Sequence, residues 1–301
     1  MADEVHRPVL LETVCDILRP APGRCYLDGT VGAGGHAERI LALSQPDGKL
    51  IGIDRDPRAL AIAARKLEAF GERVILVHAN FTDAADVLAA HRMHKVHGVV
   101  LDLGLSSAQL DAPDRGFSFR HEDAPLDMRA DPTSGKTAAE LLARVPEREL
   151  ADRLWQLADE RRSRRIARAI CRERRRRPIK TVGQLVALIQ RAMPPGRRRL
   201  HPATRTFLAI RMWVNDELPN LEAALPSLEG IVEDGGRAVI ISFHSKEDRI
   251  AKTVFRDQAR AGLWQLLTKR PRVPTRDEVR ANPAARSAKL RAVERKASVV
   301  R

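Results

Sequence analysis

Between residues 24 and 103 the chain switches repeatedly between short apolar runs and segments of helical period, and no other feature restricts its fold as much. Tyr26-Leu27-Asp28 and residues 50–54, 74–78 and 98–103 read as strands, while residues 36–43, 57–70 and 83–91 read as helices. Strands joined by helix-length crossovers pair in parallel through right-handed connections, and helices cover both faces of the sheet. Ligands of such sheets sit at the carboxyl ends of the strands. After Leu105 the strand pattern does not resume until residue 237. Residues 137–193 read as amphipathic helices broken at Pro146, Pro178 and Pro194, with further helices expected over 203–218 and 221–231. Gly235-Gly236 is expected to turn into a buried strand at 237–243, and a last strand near 288–293 closes the sheet.

With 301 residues, 44% of them hydrophobic, the chain has apolar surface enough for a substantial core, which excludes collagen, small disulfide scaffolds and wholesale disorder. No apolar run approaches the roughly 18 residues of a membrane span. Residues 1–10 carry charge where a signal peptide would be apolar, so the expectation is a cytoplasmic chain without a membrane partner. Cys15, Cys25 and Cys171 are scattered, which suits a reducing compartment and supplies no metal framework. His91, His94 and His97 lack nearby cysteines or paired carboxylates, and no metal site is expected.

The charge is local. Residues 161–199 hold fifteen Lys or Arg against one acid, Glu173, so the whole net charge of +14 resides there. A concentrated basic block suits a polyanion, and a solvated helical face is the alternative. Aromatic residues are absent from the block, so it offers no base-stacking platform.

Asp28-Gly29-Thr30-Val31-Gly32-Ala33-Gly34-Gly35-His36 is a glycine-rich loop between a strand and a helix. Gly32, Gly34 and Ala37 satisfy the loose dinucleotide fingerprint, so a nicotinamide enzyme enters the comparison. Asp28, four residues before Gly32, argues against it, because a carboxylate there repels pyrophosphate and favours a cationic ligand such as S-adenosylmethionine. Asp54 ends the second strand, where a carboxylate can accept from both ribose hydroxyls of an adenosine; capping the next helix is the alternative, for which Asp56 is better placed. Asn80 and Phe81 follow the third strand, where a ring can flank adenine or simply pack. Asp102 ends the fourth, where cofactor and substrate meet in many methyltransferases. His244 and Ser245 at the end of the fifth strand fit substrate contact or capping equally, and His201 fits RNA contact or packing.

Many of these residues belong to longer motifs. Asp28-Gly29-Thr30, Gly34-Gly35-His36, Leu101-Asp102-Leu103-Gly104, Gln109-Leu110-Asp111, Arg115-Gly116-Phe117-Ser118-Phe119 and Pro125-Leu126-Asp127-Met128-Arg129 follow one another in order. Arg165-Ile166-Ala167-Arg168-Ala169-Ile170, His201-Pro202-Ala203-Thr204-Arg205-Thr206-Phe207, Ile241-Ser242-Phe243-His244-Ser245 and Ala285-Arg286-Ser287 continue the series. Together they resemble the ribosomal RNA small subunit methyltransferase H family across nearly the whole chain. The departures, Ala108, Ala130, Leu208 and Lys246, leave the cofactor positions intact.

The resemblance implies a doubly wound, seven-stranded, mostly parallel α/β sheet, the class I S-adenosylmethionine-dependent methyltransferase fold, with an all-helical insertion. It implies a methyltransferase domain at residues 1–110 and 201–301 and a helical, RNA-binding insertion at 111–200. The activity implied is N4-methylation of a cytidine in 16S ribosomal RNA of the small subunit decoding region, with S-adenosyl-L-methionine as cofactor; an RNA-binding assembly factor is the alternative. The cofactor positions carried over are Gly34, Gly35, His36, Asp54, Phe81, Asp102 and Gln109. Asp102 is also the candidate catalytic acceptor for the target amine. Arg174, Arg175, Arg176, Arg177, Arg197, Arg198, Arg199 and Arg205 are the candidate RNA contacts, and homodimerisation is left open.

Overall fold

A computed structural model describes residues 8–193 and 201–297. In chain order it runs α1 (Leu11–Leu18), β1 (Cys25–Asp28), α2 (Gly35–Leu43), β2 (Lys49–Asp54), α3 (Pro57–Leu67), β3 (Val74–His78), α4 (Ala84–Ala90) and β4 (Val96–Asp102). Six helices follow: α5 (Ser107–Asp111), α6 (Ala138–Arg144), α7 (Glu147–Ala158), α8 (Ser163–Arg174), α9 (Val182–Ala192) and α10 (Thr204–Val214). The chain closes with α11 (Glu217–Ile231), β5 (Val232–Ser242), α12 (Ser245–Arg260), β6 (Trp264–Leu266), α13 (Arg276–Ala281) and β7 (Lys289–Arg295). It divides into two units, Met1–Gly104 with Leu218–Arg301, and Leu105–Glu217.

The first unit holds a seven-stranded sheet in the order β3-β2-β1-β4-β5-β7-β6. Strands β1 to β5 are parallel, whereas β7 pairs antiparallel with both β5 and β6. Successive residues of each strand enter opposite layers. Leu27, Ile51, Leu101 and Ile240 pack with Leu88 of α4, Leu225 of α11 and Phe255 of α12. Tyr26, Leu50, Val100 and Val239 pack with Val14 of α1, Ile40 of α2 and Ala63 of α3. Each such Val, Leu, Ile or Phe contributes roughly 1.5–3 kcal/mol, and burial on both faces explains why these strands read as continuous apolar runs.

The second unit has its own core, built from Leu150, Leu154, Ile166, Ile170, Leu185, Ile189, Phe207 and Ile210. Capping boxes start three of its helices, Ser106 with Gln109 at α5, Thr137 with Glu140 at α6 and Thr181 with Gln184 at α9. Helix α8 buries Ile166, Ala167, Ile170 and Cys171 and leaves Arg164, Arg165, Arg168 and Arg172 exposed.

Several boundaries differ from the sequence expectation. The helical unit does not end at residue 200, because Phe207, Ala209 and Ile210 of α10 belong to its core. The helix expected over 203–218 stops at Val214. Asn215 turns its amide to the carbonyls of Met128 and Arg211, both at 2.8 Å, and Asp216 at φ 49° reverses the chain. Gly235-Gly236 lies inside β5 rather than before it, with Gly235 at φ 76° where the β4–β5 register shifts. The helix expected to reach residue 70 ends at Leu67, and a 3-10 segment with Gly71 at φ 55° follows.

Asn215 also accepts from the Ala130 amide at 2.6 Å, so one buried side chain satisfies three backbone groups of this unit. Truncating it leaves buried polar groups unpaired at about 1–3 kcal/mol each. Asn215→Ala is expected to lower stability by at least about 2 kcal/mol in urea unfolding; an unchanged midpoint would show that the loop finds other partners.

Candidate functional site at the carboxyl edge of the sheet

β1 ends in Asp28, and the glycine-rich loop carries the chain into α2. Gly34 caps the helix at φ 84°, a left-handed conformation that glycine adopts without strain. Gly35 begins the helix against Pro8, where a Cβ would overlap the proline ring. The acids at the strand ends hold the loop: Thr30 N–H donates to Asp28 Oδ1 at 3.2 Å, and Gly32 N–H to Asp54 Oδ2 at 2.8 Å. Asp102 N–H donates to the Thr30 hydroxyl at 2.6 Å. Asp56, not Asp54, caps α3, accepting from Arg58 N–H at 3.0 Å.

Three carboxylates therefore finish three adjacent strands, β2, β1 and β4. Burial raises the Asp28 carboxyl to about 7, with the Thr30 hydrogen bond opposing and the Asp54 charge adding. Burial also raises Asp54, against the hydrogen bonds it accepts from Asp56 and Gly32. Asp102 is pushed well above the usual carboxylate range by burial, then by the charges of Asp28 and Glu247. Among the described residues none of the three is paired with Lys or Arg; the ring of His36 has Nδ1 3.8 Å from Asp102 Oδ2. Asp102 Oδ1 is buried without a hydrogen-bond partner. An edge of this charge attracts a cation and repels phosphate.

The unit also brings Phe81 to this edge: it starts the turn capped by Asn80, and its Cβ lies 3.1 Å from where a side chain on Gly29 would begin. His36 is buried, with Nε2 3.0 Å from the Val9 carbonyl. His244 caps α12, its Nδ1 accepting from Glu247 N–H at 3.4 Å, and Glu247 accepts in return from the amides of Phe243 and His244 at 2.9 and 3.2 Å. Thr30, Glu247 and the ring of His36 join the site only through the structure. The spacing His244-x-x-Glu247 is a cap signature that points to Glu247, whereas nothing local marks the contact between Thr30 and Asp102.

The remaining candidates lie in the helical unit. Gln109 closes a capping box with Ser106 at 3.1 and 3.2 Å. Arg174 turns inward and donates to the Leu142 carbonyl at 2.6 Å, and Arg177 pairs with Glu173 at 2.6 Å. Arg175 and Arg176 are exposed. Arg205 is exposed but donates to the Asp159 carbonyl at 2.9 Å, and His201 stacks on Phe119 at 4.5 Å. Arg197, Arg198 and Arg199 lie outside the described residues.

The MraW methylase family matches this chain over residues 3–296. Ribosomal RNA small subunit methyltransferase H of Heliobacterium modesticaldum is 47% identical over 308 residues, covering 96% of this chain and 98% of its own. The protein of the same name from Pelobacter propionicus is 48% identical over 313 residues, covering 98% of this chain and 100% of its own. The strand order, with one reversed strand at β7, is that of class I methyltransferases. Sequence, strand order and the acidic edge thus agree, and the chain belongs to the MraW methylase family.

Proposed function

We propose that this chain methylates the N4 amine of a cytidine in 16S ribosomal RNA of the small subunit, in the cytoplasm, using S-adenosyl-L-methionine. The observation that carries the reading is the row of Asp28, Asp54 and Asp102 beside a glycine-rich helix start, with no Lys or Arg paired to any of them among the described residues. Carboxylates at this edge repel a dinucleotide pyrophosphate, whereas a sulfonium and an ammonium suit them. The names of the relatives supply the RNA.

The residues fit the cofactor. Gly34, Gly35 and the His36 amide offer backbone at the start of α2, Asp54 offers acceptors for ribose, and Phe81 offers a ring for adenine. Asp102 completes the proposed set. Bound there, the cofactor supplies an electrophilic methyl group on sulfur, and the protein's task is alignment. A cytosine amine is a weak nucleophile because its lone pair is delocalised into the ring. The buried, unpaired Asp102 Oδ1 is an acceptor for one of its hydrogens, favouring pyramidal nitrogen as charge develops. The arginine face of α8, with Arg175 and Arg176, is proposed to hold RNA phosphates.

Incubating small-subunit RNA with labelled cofactor should yield one N4-methylated cytidine. Cofactor binding without any methylated nucleoside would favour an assembly factor. Since a cation favours ionised carboxylates, cofactor affinity should rise with pH through about 7, where Asp28 titrates, and level off above it. Calorimetry tests this, and flat or falling affinity would remove Asp28 from the site. In the same titration Asp54→Ala should lose roughly ten- to a hundredfold in affinity. Replacing Arg175 and Arg176 with Ser should flatten the log-affinity against log-salt slope by about 0.7 for each phosphate no longer neutralised, leaving cofactor affinity alone. An unaltered slope would turn that arginine pair away from RNA.

A further inference from the structure

A chain whose excess charge sits in one block can still be polarised elsewhere, and the first unit is. Residues 269–276 hold four Lys or Arg and no acid. They run from β6 alongside β7, held at two points. Thr268 N–H donates to the Ala292 carbonyl at 3.3 Å and its hydroxyl accepts from Ala292 N–H at 2.9 Å; Arg272 and Leu290 exchange both backbone hydrogen bonds, at 2.9 and 2.8 Å. Residues 269–271 stand opposite Arg291 alone, so the chain bulges there and leaves Lys269 and Arg270 exposed. Pro271 and Pro274 restrict the backbone on either side of Arg272.

The register carries this segment to the edge that holds the acids. Asp102 is opposite Ile241, Ile241 opposite Leu290, and Leu290 opposite Arg272, so the four form one row across the sheet. At about 4.8 Å per strand, three steps place Arg272 about 14 Å from Asp102 along the backbone row. Arg286, in the Ala285-Arg286-Ser287 motif, precedes β7 at the same edge, since β7 begins at Lys289 opposite Ser242, the last residue of β5. The cations here sort into two groups. Lys289 and Arg291 share Asp248, at 3.6 and 2.7 Å, and Arg280 pairs with Asp277 at 3.3 Å. Glu278, the other acid of α13, accepts from the Leu10 amide at 2.6 Å. By contrast, the side chains of Lys269, Arg270, Arg272 and Arg286 are exposed and make no ion pair or hydrogen bond among the described residues. The edge therefore carries acids on β2, β1 and β4 and unanswered cations beyond β5. A cationic methyl donor over the first and a polyanionic acceptor strand over the second fit such an edge together.

We propose that Lys269, Arg270, Arg272 and Arg286 form a phosphate-binding row that positions the RNA strand flanking the target nucleotide against the catalytic edge. This rests on the methyl-transfer reading above and names the part of the substrate that the first unit itself holds. A strand stacked at about 3.4 Å per nucleotide covers 14 Å in about four nucleotides, so the phosphates gripped are near neighbours of the target. The four are positioning residues: they act on where the strand lies, not on the bonds that change. Because the segment is pinned to β7 and stiffened by two prolines, little of its freedom is lost when RNA binds.

The full-length chain and small-subunit RNA supply the test. Arg270→Ser with Arg272→Ser should flatten the slope of log affinity against log salt by about 1.4, at about 0.7 for each phosphate released. Arg270→Lys with Arg272→Lys, which keeps the charge, should restore the slope, and cofactor affinity should stay within about twofold of wild type in both. A slope that the serines leave unchanged, as solvated cations or an acidic protein partner would give, overturns the proposal, and so does a loss that the lysines fail to restore. Phosphate ethylation interference locates the grip: ethylation within about four nucleotides of the methylated cytidine should impair binding of the wild type and go silent in the serine variant. Sensitive phosphates found only farther away, or unchanged in the variant, overturn it as well. Single-turnover methylation at saturating RNA separates positioning from affinity. A bound but misplaced strand reacts slowly, so the rate constant should fall about tenfold or more in the serine variant. An unchanged rate constant would make the row a general RNA anchor and overturn its positioning role. If the wild-type chain binds small-subunit RNA but methylates none of it, the methyl-transfer reading fails on its own, and the salt slope still decides whether the row holds phosphates.

Discussion

Asp28, Asp54 and Asp102 stand at the carboxyl ends of neighbouring strands, and their repulsion in a buried setting governs what surrounds them. Backbone amides rather than cationic side chains answer the first two: Asp28 takes the Thr30 amide, and Asp54 takes those of Gly32 and Asp56. This is economical in a loop, because the hydrogen bonds that quiet the acids also fix the path of the glycines. It leaves the edge electrostatically incomplete, since amide dipoles offset only part of a full charge. A cation entering this edge would complete the charge balance, so the acids that shape the loop also set the charge a proposed occupant has to carry.

The basic residues of the helical unit divide in a way their spacing alone does not show. Within the run Arg174-Arg175-Arg176-Arg177, one guanidinium closes the end of α6 and another pairs with Glu173, so only part of the run's charge faces outward. Charge on the outer face of α8 is there because Ile166, Ala167, Ile170 and Cys171 must face inward, leaving the other positions to arginine. A helix made this way carries its charged surface as the complement of its core.

Strands β1, β2 and β4 were readable because burial on both faces leaves continuous apolar runs bounded by acids and glycines, and β3, only half-buried at the edge of the sheet, keeps the run Val74-Ile75-Leu76-Val77. β6 was not, for three residues, Trp264, Gln265 and Leu266, carry too little pattern to register. The end of α10 was missed because Asn215 is compatible with a helix locally and leaves it only to reach the distant Met128 carbonyl. At the site, Asp28, Asp54 and Asp102 stood out from their positions at strand ends. The Val9 contact to His36 and the Thr30 contact to Asp102 span 27 and 72 residues, and no local signal reports pairings at such separations.

β4 and β5 are side by side in the sheet, with Asp102 opposite Ile241, yet residues 103–231 separate them in the chain. During synthesis the glycine loop and all three acids leave the ribosome well before the strand that flanks β4. Until β5 arrives, β4 presents an unpaired edge carrying the apolar run Val99-Val100-Leu101, the kind that recruits other chains. The intervening helices have a core of their own, and folding them first shortens the span that must close, although each halving of a flexible loop saves only about 0.6 kcal/mol. The order of the elements thus makes early folding of the helical segment a safeguard for the nascent sheet, separate from anything that segment does to RNA.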